Sequence, residues 1–172
     1  MTSPLEAYIR NIPDFPIPGI QFKDITTLLR HGKAMHQALD VFVERYRSMQ
    51  IDAVVAIESR GFIFGAPLAY ALGIGLVPVR KVGKLPADTY QIEYALEYGS
   101  ATLEIHKDAF QPGARVVVID DLLATGGTIA AACELVERAG GVVVESAFLI
   151  ELAFLAGRSK LGTRQIYTQI TY

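Results

Sequence analysis

The sequence holds one cysteine, Cys133, in 172 residues. A lone cysteine excludes a disulfide framework within the chain and fits a reducing compartment, where its expected role is packing. No run approaches the ~18 apolar residues of a membrane span. The first residues carry Glu6, Arg10 and Asp14 rather than the apolar centre of a signal peptide. These absences predict a cytoplasmic protein with no membrane partner. Basic excess is missing too: 16 Lys and Arg against 18 Asp and Glu give a net charge of −2. That leaves no electrostatic footprint for nucleic acid, so any anion is bound by local groups, as suits a small phosphorylated substrate. Internal repeats and low-complexity tracts are absent. So are two familiar phosphate loops, the one with Lys after its last Gly and the spaced-glycine dinucleotide turn.

What is there fits one domain, residues 1–172, because 51% hydrophobic content is enough to bury a substantial core. The most informative stretch is Val116 to Ile129, VVVIDDLLATGGTI. Its four branched apolar residues, Val116 to Ile119, predict a buried strand ended by Asp120 and Asp121. Thr125, Gly126, Gly127 and Thr128 form a turn, after which Ile129, Ala132, Cys133 and Val136 recur on one helix face. A strand-to-helix turn offers free backbone N–H groups and the positive end of a helix dipole, and its glycines admit a ligand's oxygens. It reads as a phosphate cradle. The carboxylates beside it can accept hydrogen bonds from sugar hydroxyls or help hold a hydrated Mg²⁺. The plainer alternative is a strand with a solvated acidic end and an ordinary Gly-rich turn.

Along the chain, Leu5 to Asn11 predicts a short helix stopped by Pro13. From about 13 to 27, three prolines and a glycine predict an extended, irregular path. Phe22 sits in it between Gln21 and Lys23, on backbone expected to be free of any ladder. It either stacks a planar heterocycle read by that backbone, or joins Phe15 and Ile25 in pinning the segment to the core. Met35, Leu39, Phe42, Tyr46 and Met49 predict an amphipathic helix over Lys33 to Gln50, with His31 and His36 facing solvent. DAVVAI, Asp52 to Ile57, is a buried strand followed by Glu58, Ser59, Arg60, Gly61 and Phe62 and a helix through Leu72. Loops at the carboxyl ends of parallel strands share one edge, so this loop and the cradle face one crevice. There Arg60 either offers a guanidinium fork to a pyrophosphate or pairs with Glu58 at the surface.

Ile74 to Val79 is a third strand, and Arg80, Lys81 and Lys84 bring three cations after it. Tyr90, Ile92, Tyr94 and Leu96, then Ala101, Leu103 and Ile105, alternate around a turn at 97–100. This predicts a projecting hairpin that serves as a lid, a dimer contact or both. Val142 to Ile150 is another strand, with Glu151 at its end. Leu152 to Lys160 predicts a short helix, and the tail QIYTQITY an edge strand. The architecture is α/β, a central, mostly parallel sheet flanked by helices.

VVVIDDLLATGGTI resembles the 5-phosphoribosyl 1-pyrophosphate (PRPP) motif of the type I phosphoribosyltransferases. FPIPGIQFKDIT, ESRGF, RKVGKLP and LEYG, in this order and spacing, resemble the adenine phosphoribosyltransferase family within them, over Phe15 to about Leu161. The resemblance implies the type I phosphoribosyltransferase fold, with a hood hairpin at about 80–107 and a base-binding segment at about 13–27. It implies transfer of the 5-phosphoribosyl group from PRPP to adenine, giving AMP and pyrophosphate in purine salvage, with Mg²⁺ as cofactor and a homodimer as the assembly. Carried over by motif, Ala124, Thr125, Gly126, Gly127 and Thr128 bind the 5′-phosphate, and Asp120 and Asp121 the ribose hydroxyls. Glu58, Ser59 and Arg60, with Arg80 and Lys84, address the pyrophosphate, and the Glu58–Ser59 peptide is cis. Phe22 and Leu122 sandwich the adenine while backbone groups of Gln21 and Lys23 read its edge. Glu97 and Tyr98 lie in the hood. Glu97, at the position that takes the purine proton, and Arg60 are the implied catalytic residues. No direct protein ligand to the metal is assigned.

Breaking the anomeric bond of PRPP leaves positive charge on the ribose and adds negative charge to the departing pyrophosphate. Cations therefore belong at the leaving group, carboxylates at the ribose, and a closed site keeps water from capturing the cation. As N9 bonds to carbon, a carboxylate such as Glu97 receives its proton. Two other readings stand at this point. One is a transferase for guanine, hypoxanthine or xanthine, whose 6-oxo group calls for a Lys side chain nearby. The other is a non-catalytic PRPP-sensing regulator that binds RNA or DNA, against which the lack of basic excess and the hood glutamate both speak.

Overall fold

The computed structural model describes residues 3–95 and 99–172. Among them a seven-stranded sheet is built from β3 (Ala53–Ile57), β4 (Gly75–Lys81), β5 (Thr89–Ala95), β6 (Ser100–His106), β7 (Arg115–Leu123), β8 (Val142–Glu151) and β9 (Ile166–Thr171), preceded by a separate ribbon of β1 (Arg10–Pro13) and β2 (Gln21–Asp24). The order across the large sheet is β5-β6-β4-β3-β7-β8-β9. Pairings from β4 through β3, β7 and β8 to β9 are parallel, whereas β5 and β6 form an antiparallel hairpin joined to the far end of β4. This is the expected mostly parallel sheet, with the hairpin standing off one side.

Strand alternation sorts the buried side chains onto two faces. Val54 and Ala56 of β3 and Val117 and Ile119 of β7 pack with α2 (Gly32–Tyr46) and α3 (Gly61–Leu72). Val55, Ile57, Val116 and Val118 pack with α4 (Gly127–Arg138). Cys133 is buried in that second layer with its Sγ 3.5 Å from Ser146 Oγ, the packing role expected of it. The stripe α2 buries is Ala34, Ala38, Phe42 and Tyr46, one residue off the expected Met35 and Leu39, which flank it half-buried. The small alanines let the helix approach closely and the bulkier residues cover its sides. A buried polar tie adds to this: Glu145 of β8 accepts hydrogen bonds from Arg45 Nε and from the Tyr46 hydroxyl, both at 2.6 Å.

Several elements depart from their predicted forms. Residues Pro4–Tyr8 make a 3₁₀ turn rather than an α-helix, and Leu152 to Lys160 is two 3₁₀ turns, Ala153–Leu155 and Gly157–Leu161. The segment after Pro13 is not free of ladders, because β2 pairs antiparallel with β1 and sets Phe22 opposite Ile12. Prolines at 16 and 18 confine the irregular path to the connection, and α1 (Thr26–Leu29) follows directly. A two-stranded ribbon still leaves an outer edge on each strand unpaired. β7 does not stop at the aspartates but continues through Asp120 and Asp121 to Leu123.

The parallel strands β3, β4, β7 and β8 all end at one edge of the sheet, and the loops 58–60, 82–88, 124–126 and 152–156 gather there. Gly61, first residue of α3, makes the gathering tight. A β-carbon on it would lie 2.8 Å from the Ile119 carbonyl oxygen and 3.2 Å from Asp120 Oδ1, so only glycine lets the 58–60 loop lie against the end of β7.

Candidate active site

The cradle is built by the end of β7 and the start of α4. Gly126 caps the helix in the left-handed region, φ 80°, with no side-chain hydrogen bond to the first turn. The leading N–H groups of α4 are therefore open to an anion, with the helix dipole behind them. Ala124, Thr125, Gly126 and Thr128 line a cavity of about 200 Å³ with Asp120, Leu122 and Arg60. Gly127 lies under the end of β5, where a β-carbon would stand 3.3 Å from the Ala95 carbonyl oxygen. Thr128 Oγ1 donates to the Tyr94 hydroxyl at 3.3 Å. Strand β5 of the hairpin thus reaches the glycine turn itself. Behind the turn lies Gly157, whose backbone is so close to Ala124 and Gly126 that a β-carbon on either glycine would overlap the other segment.

The aspartates differ in environment. Asp121 is buried, and one of its oxygens meets Arg60 Nε at 2.5 Å. Asp120 is half-buried and accepts the Asp121 N–H at 2.9 Å. Burial and the adjoining Asp121 charge push the Asp120 carboxyl well above the usual carboxylate range. Arg60 therefore does not make the surface pair with Glu58. That carboxylate instead takes Arg80, at 3.2 Å from both Nε and a terminal nitrogen, and the Lys81 N–H at 3.2 Å. Arg80 holds the Glu58 carboxyl below its ordinary range, outweighing burial. The Glu58–Ser59 peptide is cis, as the resemblance implied.

A second cavity, about 480 Å³, opens between this loop and the hairpin. It is lined by Glu58, Ser59, Arg60, Lys81, Lys84 and Tyr94, and shares Asp120, Asp121 and Thr128 with the first. A third, about 330 Å³, is lined by Ile12, Phe15, Phe22, Lys23 and Asp24, again with Arg60 and Asp121. Phe22 meets Phe15 edge-on at 5.2 Å between ring centres, and the Arg60 guanidinium lies 6.0 Å from the Phe22 ring. The Lys23 ammonium is engaged elsewhere, donating to Asn11 Oδ1 at 2.6 Å and lying 3.6 Å from the centre of the Tyr172 ring.

Three chambers of different chemistry thus adjoin at the Arg60–Asp121 pair: a helix-capped anion turn, a cationic cleft and an aromatic slot. The structure brings together Ala124 to Thr128, Asp120, Asp121, Glu58, Ser59, Arg60, Lys84, Phe22 and Lys23. Leu122 lines the anion chamber, and Gln21 stands beside Phe22 on β2, opposite Pro13. Arg80 sits behind the cationic cleft, bound to Glu58 and to the Lys84 carbonyl oxygen at 3.1 Å. Glu97 and Tyr98 lie outside the described residues. Lys81, Tyr94 and Gly157 were missed as site residues. RKVGKLP contains Lys81, and the hairpin alternation contains Tyr94, so both had a signal; Gly157, one of 15 glycines, had none.

Among the described residues, no group of three or more His, Cys, Asp or Glu forms a metal cage. Asp120 and Asp121 fit a hydrated divalent ion held mainly through substrate oxygens, since Mg²⁺ keeps several waters and takes one or two carboxylates. Asp120 in particular would gain from a nearby cation. No helix among the described residues is long and apolar enough to cross a membrane.

Residues 24–167 match the phosphoribosyl transferase domain. The chain is 70% identical over 168 residues to the adenine phosphoribosyltransferase of Chloroflexus aurantiacus, covering 98% of this chain and 97% of that protein. Among solved structures, the adenine phosphoribosyltransferase of Thermoanaerobacter pseudethanolicus is similar with a TM-score of 0.94 at 54% identity over 98% of each chain. The Saccharomyces cerevisiae enzyme, complexed with D-2,5-dideoxy-2,5-imino-altritol 1,6-bisphosphate and adenine, gives a TM-score of 0.92 at 43% identity over 96% of each chain. Sequence similarity and similarity of fold, each over nearly the whole length, agree, and the chain belongs to the adenine phosphoribosyltransferase family.

Proposed function

We propose that this chain carries out its family's reaction, transfer of the 5-phosphoribosyl group from PRPP to adenine with release of pyrophosphate and formation of AMP, in the three adjoining chambers. One observation supports this above the others: an anion turn, a cationic cleft and an aromatic slot meet at Arg60 and Asp121, as a reaction requires that holds one ribose by its 5′-phosphate while pyrophosphate leaves and a base enters at its anomeric carbon.

In this reading the N–H groups of Ala124 to Thr128 hold the 5′-phosphate, and Asp120 and Asp121 accept the ribose hydroxyls. Their negative charge also faces the ring carbon that becomes cationic. Arg60, Lys81 and Lys84, with the backbone of Glu58 and Ser59, receive the negative charge gathering on pyrophosphate, while Arg80 neutralises Glu58 so that its carboxylate does not repel the leaving group. Mg²⁺ bound with the substrate supplies further neutralisation of that charge. Phe22 packs on one face of adenine and Leu122 on the other, and the backbone of Gln21 and Lys23 reads the edge. With the Lys23 ammonium committed to Asn11 and Tyr172, this slot suits a 6-amino purine better than a 6-oxo purine. Glu97 takes the N9 proton as the new bond forms, and the hood, with Tyr98, excludes water. Residues 1–172 act as one domain, with the hood at about 80–107 and the base-binding segment at about 13–27. The chain works in the cytoplasm as a homodimer.

Initial rates with PRPP, Mg²⁺ and each of adenine, guanine, hypoxanthine and xanthine test the assignment. AMP and pyrophosphate appear with adenine; turnover of hypoxanthine without turnover of adenine would overturn the base.

A further inference from the structure

Glu104 lies on β6, opposite Arg80 of β4 and Gln91 of β5. Only 2% exposed, it has no access to substrate, yet it is not idle. One carboxylate oxygen accepts the backbone N–H groups of both Lys84 and Leu85, each at 2.8 Å, and the other meets Thr89 Oγ1 at 3.3 Å and Gln91 Nε2 at 3.4 Å. Burial pushes this carboxyl up, but the N–H groups of Leu85, Lys84 and Gly83 outweigh it and keep the group below its usual range. The turn after β4 is therefore wrapped around a buried negative charge as a nest of N–H donors.

The Lys84 backbone is gripped from its other side as well. Its carbonyl oxygen accepts Arg80, which pairs with Glu58, and Glu58 in turn holds the Lys81 N–H. The two lysines lining the cationic cleft thus stand on a turn fixed at one end by Glu58 and at the other by Glu104.

We propose that Glu104 is a positioning residue for the leaving group: by holding the turn at Lys84 and Leu85 it keeps the Lys84 side chain directed at the pyrophosphate. The inference rests on the assignment of the cationic cleft to pyrophosphate. It makes Glu104 selective, because the 5′-phosphate and the base are held by other elements.

The test compares wild type with Glu104→Gln, which keeps the shape and one acceptor oxygen, and Glu104→Ala, in the forward reaction and in pyrophosphorolysis of AMP. Glu104→Ala raises KM for PRPP and for pyrophosphate about 10- to 100-fold, the loss expected when charge-assisted hydrogen bonds to a buried acceptor go. KM for adenine and for AMP stays within about twofold in the same variant, and Glu104→Gln recovers part of the loss. In a Lys84→Ala background the Glu104→Gln penalty on pyrophosphate shrinks to about twofold or less, since residues that act through one another are not additive. Calorimetric titration with Mg²⁺–pyrophosphate reads the same effect in Glu104→Gln without turnover, so it decides the matter if Glu104→Ala fails to fold or if adenine is the wrong base. A uniform rise in all four KM values, full additivity with Lys84→Ala, or unchanged pyrophosphate affinity in Glu104→Gln would overturn the proposal. Wild-type protein that does not bind pyrophosphate at all would instead overturn the assignment of the cleft.

Discussion

Replacing Gly157 by alanine perturbs the phosphate turn from behind, at a residue that is not itself assigned to substrate. A β-carbon on Gly157 would fall on the Ala124 carbonyl oxygen and stand 3.1 Å from the Gly126 nitrogen. Gly157 itself is outside the left-handed region, so alanine brings no backbone strain of its own and the effect is steric. Restoring ordinary separation takes about 1 Å of movement. The 157 side resists it: Arg158 is clamped to buried Glu151 by two 2.6 Å hydrogen bonds, and Glu151 also accepts from Thr168. The turn at 124–126 therefore moves, and its N–H groups move with it. A displacement of ~1 Å in a positioning element costs about 100-fold in rate, and overpacking costs about 1–3 kcal/mol of stability, a fall in Tm of about 2–12 °C for a chain of this size. The assay is kcat/KM in both directions with a thermal melt on the same samples. Efficiency with PRPP and with AMP, which share the 5′-phosphate, falls about 100-fold, while KM for pyrophosphate changes less than about twofold. Lowered Tm with wild-type kinetics for PRPP and AMP would refute the reasoning, because the turn would then have absorbed the methyl group without losing its N–H geometry.

Other outcomes follow from the same site. Phe22→Ala raises KM for adenine about 5- to 150-fold, the loss of about 1–3 kcal/mol of base stacking, and leaves KM for pyrophosphate unchanged; initial-rate measurements separate the two. Asp120→Asn stabilises the free protein by about 0.5–2 kcal/mol at neutral pH while slowing turnover. The Asp120 carboxyl is raised in the folded state, so its ionisation opposes folding as pH rises above the unfolded value, and the gain seen in melts shrinks as pH falls toward that value. Asp24 has the opposite sign: the Thr26 N–H, with Arg10 and the Thr26 hydroxyl, overcomes burial and lowers it from 3.8 to about 2. Its contribution is fully present above about pH 4 and is lost as pH falls toward 2, so Asp24→Asn flattens the stability profile measured across that window.

The elements most legible in the sequence were those whose pattern has one physical cause. DAVVAI and VVVI are strands because both faces are covered, and the glycine turn after them is a cradle because a strand runs into a helix there. The end of β7 was less legible, since charge at Asp120 and Asp121 looks like a solvent boundary although the strand continues beneath the ligand chambers. The β1–β2 ribbon was hidden by three prolines, which mark the connection but mask the four-residue strands beside it. Arg60 and Glu58, two residues apart, suggested a local pair; Arg60 instead meets Asp121 at the end of β7, and Arg80 from the neighbouring strand takes Glu58. Partners drawn from distant segments carry no local signal. Gly157 and Glu104 are of this kind, the first acting through close backbone contact and the second through a nest of N–H groups on the turn after β4.

The central claim is that the chambers meeting at Arg60 and Asp121 are the three parts of one transferase site. A crystal structure with AMP, Mg²⁺ and pyrophosphate tests it most directly. The account predicts the phosphate of AMP on the N–H groups of 124–128, the ribose hydroxyls at Asp120 and Asp121, adenine against Phe22, and pyrophosphate beside Arg60, Lys81 and Lys84. Adenine bound away from Phe22, or pyrophosphate bound outside the cleft between the 58–60 loop and the hairpin, would contradict it.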